Sequence, residues 1–359
     1  MSQQKRDIVV VGGGVLGLST ALVLAERLNK SHRITVISEF LPSDKTYAPE
    51  YTSPWAGAHF RPFPSKSESE LREYKLNRLT QKHFRYLAKL RPESSVAFIE
   101  GVDYIDNPDQ FYSNVTEGYS EDMNDFKLIP KEQLPKNVNF GASYETWVLN
   151  PPIYLNFLLE QLASYKVSFV QKRLNSLKEV KDIRPNSIIV NCSGMGLQYY
   201  GGYDPKSYPI RGQTLLVEPP PNADRKATVT HQLKNGEWTF YIPRPLSNGI
   251  IIGGTKQPEN YSNKVSDEDT RALIQRASQW YPQYMKTNNN GKKYFDIKKI
   301  NVGFRPAREG GLKLDIEQID KTVIVNNYGA GGMGYELSYG SALEVYNLIE
   351  KNLRPKVKL

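Results

Sequence analysis

Two stretches, one at each end of the chain, share the same pattern of an apolar strand, a glycine-rich turn and a helix. Residues 7–11 are mostly β-branched and apolar, which predicts a buried parallel strand, and the periodicity that follows predicts a helix over residues 15–28. Residues 33–38 form the next predicted strand, so the chain opens as a strand–helix–strand unit. Near the other end, residues 321–326 predict a strand and residues 340–351 a helix. The two ends therefore predict one domain assembled from separated segments.

Between these ends, short alternating strands are separated by polar loops. Helical periodicity covers 69–90, 151–163 and 267–280, and strands are predicted at 167–171, 187–191, 213–217, 238–242 and 249–253. The last two strands flank a turn at 245–248 and predict a hairpin. Residues 41–64 are too irregular for an element, and loops of that length are often functional. The pattern predicts a second, strand-rich domain inserted into the first.

The composition is that of an ordinary globular protein. The 359 residues are 39% hydrophobic and 11% aromatic, which suits two domains. The single cysteine, Cys192, excludes an intramolecular disulfide framework, and the four scattered histidines give no metal site. The net charge of +9 is spread along the chain, which suits an anionic small molecule and does not indicate nucleic acid binding. Glycines interrupt the uncharged run 8–25, so no membrane insertion is predicted.

The strongest chemical signal is the glycine-rich turn between the first strand and the first helix. Its residues are Gly12, Gly13, Gly14, Val15, Leu16 and Gly17. Gly12 permits a tight turn, Gly14 lets the backbone approach a pyrophosphate, and Gly17 lets the helix pack on the strand. The helix N-terminus favours phosphate charge, and Glu39, just past the second strand, can accept hydrogen bonds from ribose hydroxyls. These features predict a bound dinucleotide, and this motif alone leaves both FAD and NAD open.

A second glycine-rich turn, at 327–335, favours FAD. It follows a predicted strand and precedes a helix, so it can aim a second helix N-terminus at an anion or a carbonyl group. A flavin has such a group at its N1–C2=O region, and NAD has none. Two other motifs stay open at this point. Residues 52–60 either contact the cofactor or form a packed turn, and the arginines of 303–308 either clamp a carboxylate or lie at the surface.

Several motifs in the same order give the chain a resemblance to one enzyme family. They are residues 11–17, 53–58, 190–194, 209–214, 253–255, 303–306 and 327–329. Together they resemble the D-amino-acid oxidase and D-aspartate oxidase family of FAD enzymes, in its fungal form. The resemblance implies an α/β fold with a Rossmann-like FAD-binding domain built from 1–64, 148–200 and 300–359. A strand-rich substrate-binding and interface domain would comprise 65–147 and 201–299.

The resemblance implies a set of substrate residues. In that family the arginine of Gly-Phe-Arg-Pro pairs with the substrate α-carboxylate, which corresponds to Arg305. A tyrosine on the first strand of the hairpin bonds the same carboxylate, and Tyr241 is assigned to it because only tyrosine has the donor. Counting from Pro243 would place Phe240 there instead. Gly332 is also placed at the substrate site. The segment 211–213 is expected to shape the domain junction rather than touch substrate.

The resemblance also implies the FAD contacts. Besides the first glycine turn, they are Ser38, Glu39, Thr52, Ser53, Ala56, Gly57, Ala58, Leu174, Gly332, Gly334, Tyr335 and Glu336.

The implied reaction is hydride transfer from the Cα of a D-amino acid to flavin N5. The imino acid then hydrolyses to a 2-oxo acid and ammonia, and dioxygen reoxidises the flavin to give hydrogen peroxide. Lys256, with His59 or Arg61, predicts a preference for acidic D-amino acids, because a cation in a partly dry pocket attracts a side-chain carboxylate. The alternatives are a preference for neutral D-amino acids, a pyridine-nucleotide dehydrogenase, and a non-catalytic nucleotide-binding scaffold.

The expected partners are the D-amino acid and dioxygen, and the oligomeric state is left open. The C-terminal Val357-Lys358-Leu359 is similar to a peroxisomal import signal with valine in place of the usual small residue. It predicts a peroxisomal location and an import receptor as a further partner; otherwise the location is cytoplasmic.

Overall fold

The computed structural model describes residues 7–28, 32–247 and 249–353. The strands are β1 Ile8–Val11, β2 Ile34–Ser38, β3 Ala97–Ile105, β4 Lys127–Leu128, β5 Phe140–Val148, β6 Ser168–Gln171, β7 Ile188–Asn191, β8 Ser207–Val217, β9 Ala227–Gln232, β10 Trp238–Pro243, β11 Ile250–Gly253, β12 Gln257–Pro258, β13 Lys286–Thr287, β14 Lys293–Tyr294, β15 Ile297–Arg308, β16 Lys313–Ile319 and β17 Thr322–Tyr328. The helices are α1 Val15–Arg27, α2 Glu68–Leu90, α3 Gln110–Ser113, α4 Pro151–Ser164, α5 Val180–Ile183, α6 Asp267–Trp280 and α7 Gly334–Leu353. The segment 357–359 lies outside the described residues, so the import signal stays a prediction.

The first sheet is the expected Rossmann-like sheet, in the order β16-β17-β7-β1-β2-β6. Its neighbours pair in parallel except β16 and β17. Strands β1 and β7 are fully buried, as their unbroken apolar runs require. Helices α1, α2, α4 and α7 contribute to the core on one face, and residues 174–199 contribute to the core on the other.

The second sheet is mostly antiparallel, in the order β12-β8-β11-β10-β9-β3-β5-β4, and β15 pairs with β8. Leu273 and Ala277 of α6 pack on one face of it, against Leu215 and Ile252. The opposite face carries Ile242 and points at the first domain, because a Cβ on Gly57 would lie 2.3 Å from the Ile242 Cδ1 atom. Several of the residues implied above, among them Gly57, Arg305 and Gly332, lie between these two layers.

Three features differ from the sequence-based predictions. Helix α7 begins at Gly334, six residues before the predicted start, because glycines in its first turns weaken the helical pattern. Strand β15 belongs to the second sheet, although residues 300–308 were predicted in the FAD-binding domain. Helix α2 adds Leu76, Phe84 and Leu87 to the core of the first domain, although it was predicted in the second. None of the described helices is long and apolar enough to cross a membrane.

Candidate active site

The turn between β1 and α1 requires glycine at two positions. Gly12 has a φ of 120°, and a Cβ there would lie 2.2 Å from the Cys192 carbonyl oxygen. A Cβ on Gly17 would lie 2.0 Å from the Gly12 carbonyl oxygen, so the helix reaches the strand only without a side chain. The turn therefore brings the N-terminus of α1 close to the carboxyl end of β1.

The N-terminus of α1 is open to an anion. Gly14 is its N-cap and makes no side-chain capping bond, and its first turn contains no acidic residue. Two predicted cofactor residues order the adjoining backbone: the Gly13 N–H donates to the Ser38 hydroxyl at 2.8 Å, and the Val15 N–H donates to the Ser53 hydroxyl at 3.0 Å. Leu16 follows in the first turn of the helix and is buried.

The predicted adenosine residues lie at the carboxyl ends of β2 and β6. Glu39 is exposed beside β2, with its carboxylate 3.6 Å from the Arg173 guanidinium. Leu174, the next residue along, is buried in the core beneath them. This places an acidic acceptor and an apolar surface together, as the ribose and adenine of a dinucleotide require.

Residues 56–61 connect the two layers. The Ala58 and Phe60 N–H groups donate to the Leu149 and Trp147 carbonyls, at 3.2 and 3.0 Å, and both side chains enter the core of the first domain. The alternate residues, at 57, 59 and 61, face the side chains of β10 instead. The His59 and Phe240 ring centroids are 6.2 Å apart, and the Arg61 guanidinium lies 4.8 Å from the Trp238 ring.

Arg305 is a half-buried cation beside this segment. Its guanidinium lies against Gly212, which has no side chain to block it, and Nη1 donates to the Thr255 carbonyl at 3.1 Å. Burial lowers its pKa, and none of the ion pairs among the described residues includes it. A Cβ on Gly332 would lie 3.7 Å from the Arg305 Cδ, so two predicted substrate residues meet here. An unpaired guanidinium in a pocket is suited to a carboxylate ligand.

The prediction for Tyr241 is wrong, because its side chain lies on the other face of the sheet. Its ring packs 5.0 Å from Tyr281 and 4.6 Å from Tyr284, beneath α6. Phe240, one residue earlier, faces the active-site side: a Cβ on Gly253 would lie 2.2 Å from its ring. A one-residue change of register in a strand moves a side chain to the opposite face, so the alternative based on Pro243 is the one that the geometry supports.

The N-terminus of α7 adds the last group of predicted residues. Gly334 begins the helix, and the buried Tyr335 hydroxyl donates to the Ser53 carbonyl at 2.9 Å. This bond ties the second glycine-rich turn to the residues beside the first. Glu336 follows in the first turn of the helix, close to Arg61. Thr52 lies on the same side and donates its hydroxyl hydrogen to the Phe304 carbonyl.

Comparison with known proteins identifies the family. The family model described as DAO, FAD dependent oxidoreductase, matches residues 7–348. The chain belongs to this family. It is 37% identical over 363 residues to a D-amino-acid oxidase of Schizosaccharomyces pombe, covering 99% of this chain and 98% of the relative. It is 34% identical over 371 residues to a D-aspartate oxidase of Talaromyces thermophilus, covering 97% and 96%.

Solved structures of two oxidases share the fold. The FAD-bound L-α-glycerophosphate oxidase of Mycoplasma pneumoniae superimposes with a TM-score of 0.70 at 16% identity, over 97% of this chain and 95% of that one. The glycine oxidase of Geobacillus kaustophilus gives a TM-score of 0.68 at 18% identity, over 96% and 95%. The protein is thus an FAD-dependent enzyme of the D-amino-acid oxidase type. This sets aside both the pyridine-nucleotide dehydrogenase and the non-catalytic scaffold.

The residues of this family member fit FAD. The open N-terminus of α1 and the glycines of its turn can hold the pyrophosphate, with Glu39 and Leu174 at the adenosine. Residues 56–58 and the N-terminus of α7 flank the place expected for the flavin ring. Within the segment 211–213, Arg211 pairs with Asp269 of α6, at 2.9 Å, on the face away from Arg305, whereas Gly212 lies against the Arg305 guanidinium. The expected role of this segment at the domain junction stays a prediction.

Two residues that hold the site together were not found from the sequence. Arg244 donates to the Gly57 and Ala56 carbonyls at 3.0 and 2.8 Å, so it ties β10 to the segment beside the cofactor. The Tyr51 hydroxyl donates to the Gly13 carbonyl at 2.7 Å. The proline–arginine pair at 243–244 was the only signal for Arg244, and nothing in the sequence pattern distinguishes Tyr51 from other loop tyrosines.

Three side chains, Lys256, His59 and Arg61, were predicted to be cations that select acidic substrates. The charge of His59 and the availability of Arg61 differ from that prediction. The Thr228 hydroxyl donates its single hydrogen to the Tyr241 carbonyl at 2.8 Å, so the His59 Nδ1, 2.8 Å from that hydroxyl, must be the donor. Burial and the Arg61 charge lower the pKa of His59 to about 3, so the ring is neutral at pH 7. The prediction of a cationic His59 is therefore wrong.

Arg61 is already partly paired. Its Nε donates to the buried Asp103 carboxylate at 2.8 Å, and the Tyr119 and Tyr144 hydroxyls donate to the same carboxylate at 3.1 Å. Among the described residues, its Nη2 is buried without a partner. Lys256 is exposed, next to the residue whose carbonyl accepts from Arg305. Lys256 is therefore the cation with most freedom to meet a substrate carboxylate.

Because Phe240 and Tyr241 lie on opposite faces of β10, substitutions at the two positions should have different effects. Tyr241→Phe should leave kcat/KM for D-amino acids within about threefold of wild type. It should lower the unfolding free energy by about 1 kcal/mol, because the variant loses a hydroxyl group that is packed beside the buried Tyr284. Phe240→Ala should lower kcat/KM by about tenfold or more, because its ring covers Gly253 and Gly254 beside Arg305. Steady-state kinetics and thermal unfolding of both variants test this, and a large kinetic loss confined to Tyr241→Phe would restore the original register.

Proposed function

We propose that the protein catalyses the oxidative deamination of D-amino acids and prefers acidic ones, D-aspartate and D-glutamate. With FAD bound, flavin N5 would accept the Cα hydride of the substrate, and the imino acid would hydrolyse to a 2-oxo acid and ammonia. FAD, when bound, supplies the electron acceptor, which dioxygen restores with formation of hydrogen peroxide.

The observation that carries the proposal is the unpaired guanidinium of Arg305. It lies half-buried on the face of the second sheet that points at the FAD-binding domain, with Gly212 leaving room around it. A bidentate bond from it to the α-carboxylate would fix one end of the substrate. Phe240 and Gly332 border the same space, so they would limit how the rest of the substrate lies. With the carboxylate held, this chain's contribution is orientation of the Cα–H bond rather than acid–base chemistry.

The preference for acidic side chains is supported by the charges that remain around Arg305. Lys256 is one residue from Thr255, which accepts the Arg305 bond. The Arg61 guanidinium lies over Trp238 on the same face of the sheet, and its Nη2 has no partner among the described residues. Asp103, the acidic partner of Arg61, is fully buried and accepts hydrogen bonds from three donors. Cations with spare hydrogen-bonding capacity therefore outnumber carboxylates here, which favours a second carboxylate on the substrate.

A substrate panel tests the preference. Wild type should show higher kcat/KM for D-aspartate or D-glutamate than for D-alanine, D-methionine or D-phenylalanine, measured as peroxide release. Lys256→Met should lower kcat/KM for the acids by about three- to tenfold, since an exposed lysine provides a loosely held charge. The neutral substrates should change by less than about twofold.

Lys264→Met is the matched control, because it removes the same charge from another exposed lysine beyond β12. It should leave the ratio of acidic to neutral kcat/KM unchanged. Higher kcat/KM for D-alanine or D-methionine than for both acids in wild type would contradict the proposed preference. An unchanged ratio in Lys256→Met would show that Lys256 does not provide it.

A further inference from the structure

Glu336 is a half-buried acid that the reaction proposed above does not use. It lies in the first turn of α7, directly after the second glycine-rich turn. One of its carboxyl oxygens lies near the backbone N–H of Arg61. The other carboxyl oxygen, Oε2, is shielded from solvent, and it has no hydrogen-bond partner among the described residues. A buried carboxyl oxygen normally has a partner, so something outside the chain should complete this one.

The described hydrogen bonds of the two cations near Glu336 go to other groups, and the buried Arg61 Nη2 has no partner among the described residues. The Arg61 Nε donates a hydrogen bond to the Asp103 carboxylate at 2.8 Å. Arg78 of α2 donates to the Glu121 and Gly118 carbonyls and to the Asn77 side chain. The remaining charged neighbour is Glu73 of α2, which repels a negative charge on Glu336. None of the ion pairs in the part of the chain that the structure describes includes Glu336.

The result is a carboxyl group that keeps its proton at neutral pH. Burial is the main cause and raises the pKa of Glu336 to about 8, against the smaller opposite effects of Arg61 and Arg78. A protonated carboxyl has one O–H donor. Since the other oxygen faces the Arg61 backbone N–H and Oε2 is shielded without a partner among the described residues, the proton belongs on Oε2, which needs an acceptor.

The acceptor that fits is on the cofactor. Helix α7 starts in the turn that flanks the flavin site, and flavin rings present carbonyl and imine acceptors along their pyrimidine edge. We propose that Glu336, as a neutral carboxyl group, donates a hydrogen bond from Oε2 to the flavin ring of bound FAD. Its deprotonation would then place a negative charge against that edge. FAD affinity and the flavin reduction potential should both fall when this proton is lost.

FAD binding should weaken as pH rises, because the protein binds FAD best when the Glu336 carboxyl group is protonated. Below pH 8 Glu336 is neutral and binding is strongest; above pH 8 the carboxylate forms in the apoprotein and FAD binding weakens. The Kd of FAD for the apoprotein, measured by quenching of flavin fluorescence, should rise by about tenfold or more between pH 7 and pH 9.5 in wild type. The midpoint potential of the holoenzyme should gain an extra decrease over the same range.

Glu336→Gln keeps an uncharged donor of the same size and removes the titration. Its FAD affinity at pH 7 should stay close to that of wild type, and its Kd should change by less than about threefold up to pH 9.5. Glu73→Gln is the matched control, because Glu73 is a buried acid on the neighbouring helix that already accepts the Leu312 N–H at 2.8 Å. It should keep the wild-type pH dependence.

Two results would overturn the proposal: the same pH dependence in Glu336→Gln as in wild type, or a wild-type Kd that does not change up to pH 9.5. The second would indicate that water, rather than the cofactor, completes Oε2. If the glutamine variant does not fold, infrared difference spectra of wild type decide the question. The band of a protonated carboxyl should shift when FAD binds, and its absence would also reject the proposal. None of these readouts depends on the substrate preference.

Discussion

Arg305→Ala should lower kcat/KM for every D-amino acid by about a hundredfold or more, mainly by raising KM, while the purified protein retains FAD. Truncating one partner of a buried charge pair costs 2–5 kcal/mol or more, and the substrate carboxylate would be left without its guanidinium. The Arg305 side chain makes only one described hydrogen bond to the protein, to the Thr255 carbonyl. Its loss should therefore have little effect on folding. Steady-state kinetics, with the flavin absorbance of the same preparation, test both parts.

Arg308→Ala on the same strand is the control for this prediction. Arg308 is already paired with Asp204, at 2.8 Å, and a Tyr328 hydroxyl bonds the same carboxylate. Its removal should lower the melting temperature and leave KM unchanged. Arg305→Lys should recover only part of the lost affinity, because an ammonium group cannot form the bidentate bond. An Arg305→Ala variant with wild-type KM would remove Arg305 from the substrate site.

The parts of the fold predicted from sequence were those with a strong local pattern. The strand, glycine turn and helix at 8–27 follow from an apolar run and the positions of Gly12 and Gly17. Helix α6 has the predicted bounds, because Ser266 caps it and acidic residues fill its first turn. The pattern did not give β16 or the start of α7. In β16 the alternation of polar and apolar residues is weak, and in α7 the glycines of the first turns lower the helical signal.

The site was harder to predict, because its details depend on partners far away in sequence. The face on which Tyr241 lies is decided by the pairing of β10 with β9 and β11, and a one-residue error reverses it. The charge of His59 depends on its burial next to Arg61, and the freedom of Arg61 depends on Asp103, 42 positions along the chain. The substrate role of Arg305 came from the family resemblance, because the sequence pattern alone left the arginines of 303–308 either at a carboxylate or at the surface.

The second large effect concerns the turn that presents α1 to the cofactor. Gly12→Ala should weaken FAD binding by about a hundredfold or more, since displacements of about 1 Å at a binding site can cost that much. Gly12 combines a φ of 120° with a Cβ position 2.2 Å from the Cys192 carbonyl oxygen and 2.8 Å from its carbon. Those atoms are backbone at the end of β7, which pairs with β1, so they cannot move without disturbing the sheet.

Gly236→Ala separates this clash from the general cost of a positive φ. Gly236 has a φ of 81° in an exposed turn, and a Cβ there would meet nothing within 4 Å. It should lower the unfolding free energy by about 1 kcal/mol and leave FAD affinity unchanged. FAD titration of both apoproteins, with thermal unfolding, measures the difference. If Gly12→Ala bound FAD as tightly as wild type, or if Gly236→Ala lost FAD to the same extent, the close approach of α1 to β1 would not be what forms the phosphate site.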